Sequence, residues 1–269
     1  MFFKKDIYVL EITNLNNLRL YGYKDKNVIS RFVVDENIVK DNEILDVIQY
    51  SYIINKFLRD IVNSSRTVLR LNSTENIFRY ENVESLSKEE ADNYIKYNLD
   101  SMLPVNSDGL IIKSNYSESQ IFAYGIKENI VDFYLNLLNE LGFKNVYVTT
   151  FISEVIAIKD QIDKNCIFLN IQQNYVEIVL VEDRKVSLYK SKELINKLDE
   201  SRNILDYKEE WEIKNVLESI DFKITNSKID KIYIFGNKSI FYHWKNIILN
   251  EYDFEIEELN FKEEDYFGV

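Results

Sequence analysis

Hydrophobic periodicity along the chain sets out one order of elements twice, and that repetition restricts the fold more than any single motif does. From Asp6 to Tyr21 apolar and polar residues alternate imperfectly, as strand, turn, strand, with Asn14, Asn16 and Asn17 supplying the turn. A third strand is expected near Val28–Val34, and Ile44, Val47, Ile48, Ile54, Leu58 and Ile61 predict a helix over Glu43–Val62. A compact strand, Thr67–Leu71, follows. The second half repeats this order after a helix through Ile152, Val155, Ile156 and Ile162. Cys166–Ile171, Tyr175–Val181 and Val186–Tyr189 read as consecutive antiparallel strands, the last two joined by the turn Glu182-Asp183-Arg184. A charged helical stretch from about Lys192 to Phe222 leads to a strand (Ile232–Phe235), a helix (Ile240–Leu249) and a last strand (Glu255–Leu259). Six Gly and one Pro leave little room for flexible linkers.

Between the two halves lies a further unit. Ser87 and Glu90 form a capping box, the hydroxyl accepting the N3 amide and the carboxylate reaching back. The helix it opens carries Ala91, Tyr94, Ile95, Leu99 and Met102 and ends at Pro104. Strands at Leu110–Ser114 and Gln120–Ile126 flank the polar turn Asn115–Ser119. A second helix presents Ile130, Tyr134, Leu137, Leu138 and Leu141, and Gly142 stands where a left-handed residue ends a helix. Val146–Thr149 closes the unit as a strand.

Charge and composition exclude several functions. A net charge of −12, with no run of four Lys/Arg, disfavours nucleic acid and direct lipid binding. The 19 Tyr and 16 Phe therefore read as packing residues and not as a base-stacking platform. No apolar run reaches the roughly 18–20 residues of a membrane span, and Asp6 and Glu11 interrupt the start where a signal peptide would be apolar. The lone cysteine, Cys166, lies in an apolar run and reads as a small buried hydrophobe, which rules out a disulfide scaffold. His243, the only histidine, has no cysteine neighbour with which to build a zinc site. Neighbouring acids such as Glu89/Glu90, Glu209/Glu210 and Glu263/Glu264 point about 100° apart on a helix and read as solvated faces.

Four stretches resemble the PilM family of type IV pilus assembly proteins, in the FtsA-like branch of the actin superfamily. They are Glu90–Ile95 through Pro104 and Gly109–Ile112; Ile121–Glu128 through Leu141-Gly142-Phe143; Ile167–Asn170 through the Glu182–Arg184 turn; and Ile232–Ser239 with the helix and strand after it. The resemblance implies an α/β, actin-like (ribonuclease-H-like) duplicated fold with an inserted subdomain of the FtsA/PilM type. It implies a first lobe from residues 1–83 and 150–163, an inserted subdomain at 84–149 and a second lobe at 164–269.

The same resemblance shows where nucleotide chemistry is lost. Actin-like ATPases hold phosphates with two glycine-bearing hairpins, each with an Asp near the metal, because a Cβ would block close backbone approach. Here the first hairpin offers Glu11, Thr13 and Asn14, keeping an acid but no Gly. The second offers Asn170 and Gln172, and the adenosine-side glycine pair is reduced to Gly236 and Asn237. The expectation is a scaffold with a degenerate nucleotide site, no catalytic or metal-binding residue, and no cofactor. Its family role implies binding the N-terminal cytoplasmic tail of a PilN-like membrane protein, with contacts to pilus motor ATPases. That places it in the cytoplasm, peripheral to the inner face of the plasma membrane through its partner. The peptide groove is expected near Leu110, Ile112, Phe122 and Tyr124. The alternatives are a nucleotide-binding actin-like ATPase taking ATP and magnesium at Glu11, and a GspL-like pseudo-actin adaptor of type II secretion.

Overall fold

The computed structural model describes residues 7–13, 15, 17–22, 28–40, 43–58, 66–72, 76–83, 86–102, 109–117, 119–143, 145–162, 165–172, 175–194, 210–211, 214–216, 218, 229–236, 238–251 and 254–259. The chain divides into two compact units, Met1–Thr150 and Phe151–Val269.

The first unit is built on β1 (Ile7–Thr13), β2 (Asn17–Gly22), β3 (Val28–Val33), β6 (Arg66–Asn72) and β10 (Val146–Thr149), in the sheet order β10-β6-β1-β2-β3. β1, β2 and β3 pair antiparallel as a meander, whereas β1, β6 and β10 run parallel. The second unit repeats this order and sense with β11 (Cys166–Ile171), β12 (Tyr175–Glu182), β13 (Lys185–Glu193), β14 (Lys231–Gly236) and β15 (Glu255–Glu258). The predicted duplication is therefore present strand for strand. Asp183 and Arg184 both have positive φ (49° and 61°), as a two-residue hairpin turn between twisted strands requires. The buried Lys159 ammonium donates to the Arg184 carbonyl at 2.8 Å and so ties that turn down.

Each sheet buries an apolar face. In the first unit Leu10 and Ile12 of β1 and Leu69 and Leu71 of β6 join Tyr50, Ile54 and Leu58 of α1 (Val47–Leu58) with Val131, Tyr134 and Leu138 of α3 (Glu128–Glu140). In the second, Ile167, Leu169, Ile232 and Ile234 pack on Trp244 and Ile248 of α5 (Lys238–Glu251). α4 (Phe151–Ile158) packs against β12. Cys166 is buried, and burial, with the Asp230 carboxylate adding to it, pushes its thiol pKa up to about 12.

The inserted part is a three-stranded sheet, β7 (Ile77–Asn82), β9 (Gln120–Lys127) and β8 (Leu110–Ser117), with β9 in the middle and α2 (Lys88–Met102) against it. The capping box is formed: Ser87 Oγ accepts the Glu90 N–H, and Glu90 Oε2 accepts from the Ser87 amide and hydroxyl. α3 ends in a Schellman motif, where Phe143 N–H bonds to Leu138 O, Gly142 N–H bonds to Asn139 O, and Gly142 has φ +81°.

Four expectations need correcting. β7 was not expected, although Phe78 and Tyr80 alternate with Arg79 and Glu81 along it. β8 continues to Ser117, because its residues pair with β9 as far as Gln120. Lys192 and Glu193 extend β13 and are not the start of a helix; most of the charged stretch after them lies outside the described residues. The helix over Glu43–Val62 shortens to α1, because Glu43–Ile44 (β5) pairs with Val39–Lys40 (β4) and Asp46 caps the helix by accepting the Gln49 N–H at 2.9 Å. Ile61 and Val62 lie outside the described residues, and Val47 and Ile48 point to solvent.

Replacing Gly142 by Ala meets no atom within 4 Å, so its cost is confined to the backbone. A loss of about 1 kcal/mol is expected from urea unfolding of the Gly142→Ala variant, and an unchanged midpoint would contradict the helix ending described.

Candidate functional site

The expected degenerate phosphate hairpins follow β1 and β11, and among the described residues there Glu11, Asn170 and Gln172 are buried and make contacts inside the protein. Glu11 on β1 is buried, in register with Arg70 on β6. Its Oε1 lies 3.5 Å from the Arg70 guanidinium and accepts from Asn72 Nδ2 at 3.0 Å. The acid that sequence reasoning placed near a metal is thus held by a buried cation. Thr13 is the last residue of β1, paired with Asn17 and Asn72, and Asn14 lies outside the described residues.

Leu15, at the tip of the same hairpin, turns into the core with φ 45°. Its carbonyl accepts from the Tyr50 hydroxyl at 2.9 Å, and Tyr50 is also hydrogen-bonded to Tyr134. Burial raises both phenol pKa values above the ordinary tyrosine range. An apolar side chain and two tyrosines therefore fill the hairpin tip from within.

The second hairpin carries a longer chain of contacts. Gln172 Nε2 donates to Asn170 Oδ1 at 2.8 Å, Asn170 Nδ2 donates to Glu177 Oε2 at 2.8 Å, and the Tyr189 hydroxyl donates to Glu177 Oε1 at 3.0 Å. Asn170, Gln172 and Glu177 are all buried. Burial, and then the Glu177 charge, raise the Tyr175 and Tyr189 phenols well above their ordinary range, so both stay neutral. The Gln172 backbone N–H donates to the Tyr175 carbonyl at 2.8 Å and closes the turn into β12. Glu177 escaped the sequence reading because it sits on β12, opposite Asn170 in the register, and is not in the hairpin itself. Gly236 ends β14 in register with Ile171, and Asn237 lies outside the described residues.

The four residues expected to line a peptide groove are divided between two faces. Phe122 and Tyr124 share a face with Tyr80 and Phe78, to which the register pairs them. Phe78 stacks on Phe122 (6.1 Å between centroids, 22° between planes) and lies 5.8 Å from Tyr124. Leu110 and Ile112 pair with Lys127 and Gly125 and so occupy the opposite face. α2 covers that face, with Tyr94 O–H donating to Glu81 and Leu86 N–H to the Tyr116 hydroxyl. Leu110 lies close enough that a Cβ on Gly125 would stand 3.3 Å from its Cδ1. No single groove face can hold all four. Phe122 is fully buried, and burial pushes the Tyr124 phenol up to about 12.

Two sheets of one order, each an antiparallel meander continued by two parallel strands, define the actin-like ATPase fold, and the chain has that fold. It is similar to the PilM–PilN type IV pilus biogenesis complex, with a TM-score of 0.63 at 13% identity, covering 94% of this chain and 88% of that one. It is also similar to a Bacteroides thetaiotaomicron protein of actin-like ATPase fold and unknown function (TM-score 0.51, 14% identity, 97% and 94% covered). A third likeness is to the cytoplasmic domain of EpsL, an inner-membrane component of the Vibrio cholerae type II secretion system (TM-score 0.50, 10% identity, 85% and 81% covered). No family model matches the sequence, and no curated protein matches it.

Arg70→Met strands the Glu11 carboxylate in a buried place and is expected to cost about 3–5 kcal/mol in chemical denaturation. Adding Glu11→Gln to that variant recovers much of the loss, since the stranded charge is gone. A double variant no more stable than Arg70→Met would contradict the pairing.

Proposed function

We propose that the chain is a non-enzymatic scaffold of a membrane-anchored assembly platform of the type IV pilus kind. It holds the N-terminal cytoplasmic tail of a PilN-like membrane protein and meets motor ATPases on the cytoplasmic side. The observation that carries this reading is that both hairpin positions are engaged by internal contacts, Arg70–Glu11–Asn72 in one unit and Gln172–Asn170–Glu177–Tyr189 in the other. A hydrated cation needs acids with accessible oxygens, and Glu11 and Glu177 are both buried. The likeness to the PilM–PilN complex over 94% of the chain supports the partner class. Among the described residues no helix is long and apolar enough to cross a membrane.

The likeness to the EpsL cytoplasmic domain favours a second reading, an adaptor of type II secretion, which differs in partner and not in mechanism. In either case recognition is by a short segment whose apolar anchors supply affinity.

Isothermal titration with a synthetic peptide matching the cytoplasmic tail of a PilN-like protein from the same genome is expected to show a dissociation constant of about 10 µM, worth about 7 kcal/mol. No heat at hundreds of micromolar peptide would overturn the reading.

A further inference from the structure

Half of the exposed large hydrophobics among the described residues fall within eight positions: Leu45, Val47, Ile48 and Tyr52. The others, Tyr97, Trp211, Tyr242 and Leu249, are scattered along the chain, which is ordinary for a protein surface. Ile48 is 83% exposed and Tyr52 68% exposed. They stand one turn apart on α1, on the side opposite the stripe of Tyr50, Ile54 and Leu58 that enters the core. Leu45, in the turn just before the helix, extends the patch.

Acidic residues stand at the end of the patch where the helix begins. Asp35, Glu36 and Glu43 are exposed and Asp46 is half-buried at the helix start. The turn that carries Asp35 and Glu36 is fastened to the patch, because the Ile38 carbonyl accepts the Leu45 N–H at 2.8 Å and the Asp46 N–H at 3.3 Å. Lys40 lies across the β4–β5 ribbon from Glu43, and Lys56 lies one turn beyond Tyr52, so among the described residues the rim stays acidic on balance. An apolar centre with an acidic rim, on a chain of net charge −12, repels a second copy of itself and an anionic lipid surface.

We propose that this outer face of α1 docks a peptide segment with apolar anchors flanked by Lys or Arg. The partner class rests on the scaffold reading above: the cytoplasmic tail of a membrane protein carries an excess of Lys and Arg near its span. Ile48 and Tyr52 supply the apolar contact, and the acids speed and orient the encounter.

The test uses fluorescence anisotropy with the labelled tail peptide and with a second probe, an amphipathic Leu/Lys peptide of about 15 residues. Ile48→Glu with Tyr52→Glu is expected to weaken tail binding at least about tenfold. Glu36→Lys with Glu43→Lys weakens it less and flattens its salt dependence. Both pairs lie outside the core, and unchanged melting temperatures confirm that the fold survives. If the wild-type chain binds the tail and Ile48→Glu/Tyr52→Glu binds it equally well, the docking face is overturned while the scaffold reading stands. If the tail does not bind, the scaffold reading fails. The docking face then survives only if the Leu/Lys peptide binds and the Ile48→Glu/Tyr52→Glu pair abolishes that. A wild-type dimer by light scattering that this pair dissociates would identify a second copy as the occupant and overturn the proposal.

Discussion

A carboxylate taken out of water has to be met inside the protein, and Glu11 is met by Arg70 and Asn72. Arg70 stands opposite Glu11 because β6 runs parallel to β1 in that register, so the ion pair depends on the central strands of the first sheet. The second unit meets the same constraint differently. Glu177 is satisfied by an amide and a phenol instead of a guanidinium, again from neighbouring strands. At both places a buried acid on one strand meets a side chain of the neighbouring strand.

The duplicated strand order was legible because each half announces itself locally. Asn-rich and Glu-Asp-Arg turns separate short alternating runs, and Gly142 and the Ser87/Glu90 box mark helix ends that the structure contains. Relations between strands were not legible. Glu177 meets Asn170 only through the register of β11 and β12, which local pattern does not disclose. The residues expected to line a groove are split between two faces for a related reason. Ser117 pairs with Gln120, so even-numbered residues of β8 share a face with odd-numbered residues of β9. A turn one residue longer would have put Leu110, Ile112, Phe122 and Tyr124 together.

α1 shows the same gap in a helix. Helical spacing groups Ile44, Val47, Ile48, Ile54 and Leu58, yet Asp46 caps the helix after Ile44 has been taken into a strand. The face that enters the core is then Tyr50, Ile54 and Leu58, held partly by the contact of Tyr50 with Leu15 and Tyr134. Ile48 and Tyr52 are left outside. The tyrosine that fills the first hairpin from within thus also sets which side of α1 faces solvent, linking the filled hairpin to the apolar surface offered for recognition.

The most direct measurement of the central claim is thermal unfolding of the whole chain with and without millimolar ATP and magnesium. A ligand that binds the folded state raises the midpoint by mass action, by about 2–4 °C for each kcal/mol gained in a chain this long. With Glu11 held by Arg70 and Asn72, and Asn170 and Gln172 tied to Glu177, no shift is expected at any nucleotide concentration up to several millimolar. A saturable upward shift of the midpoint would show that a nucleotide site survives in the folded chain, and would contradict the account.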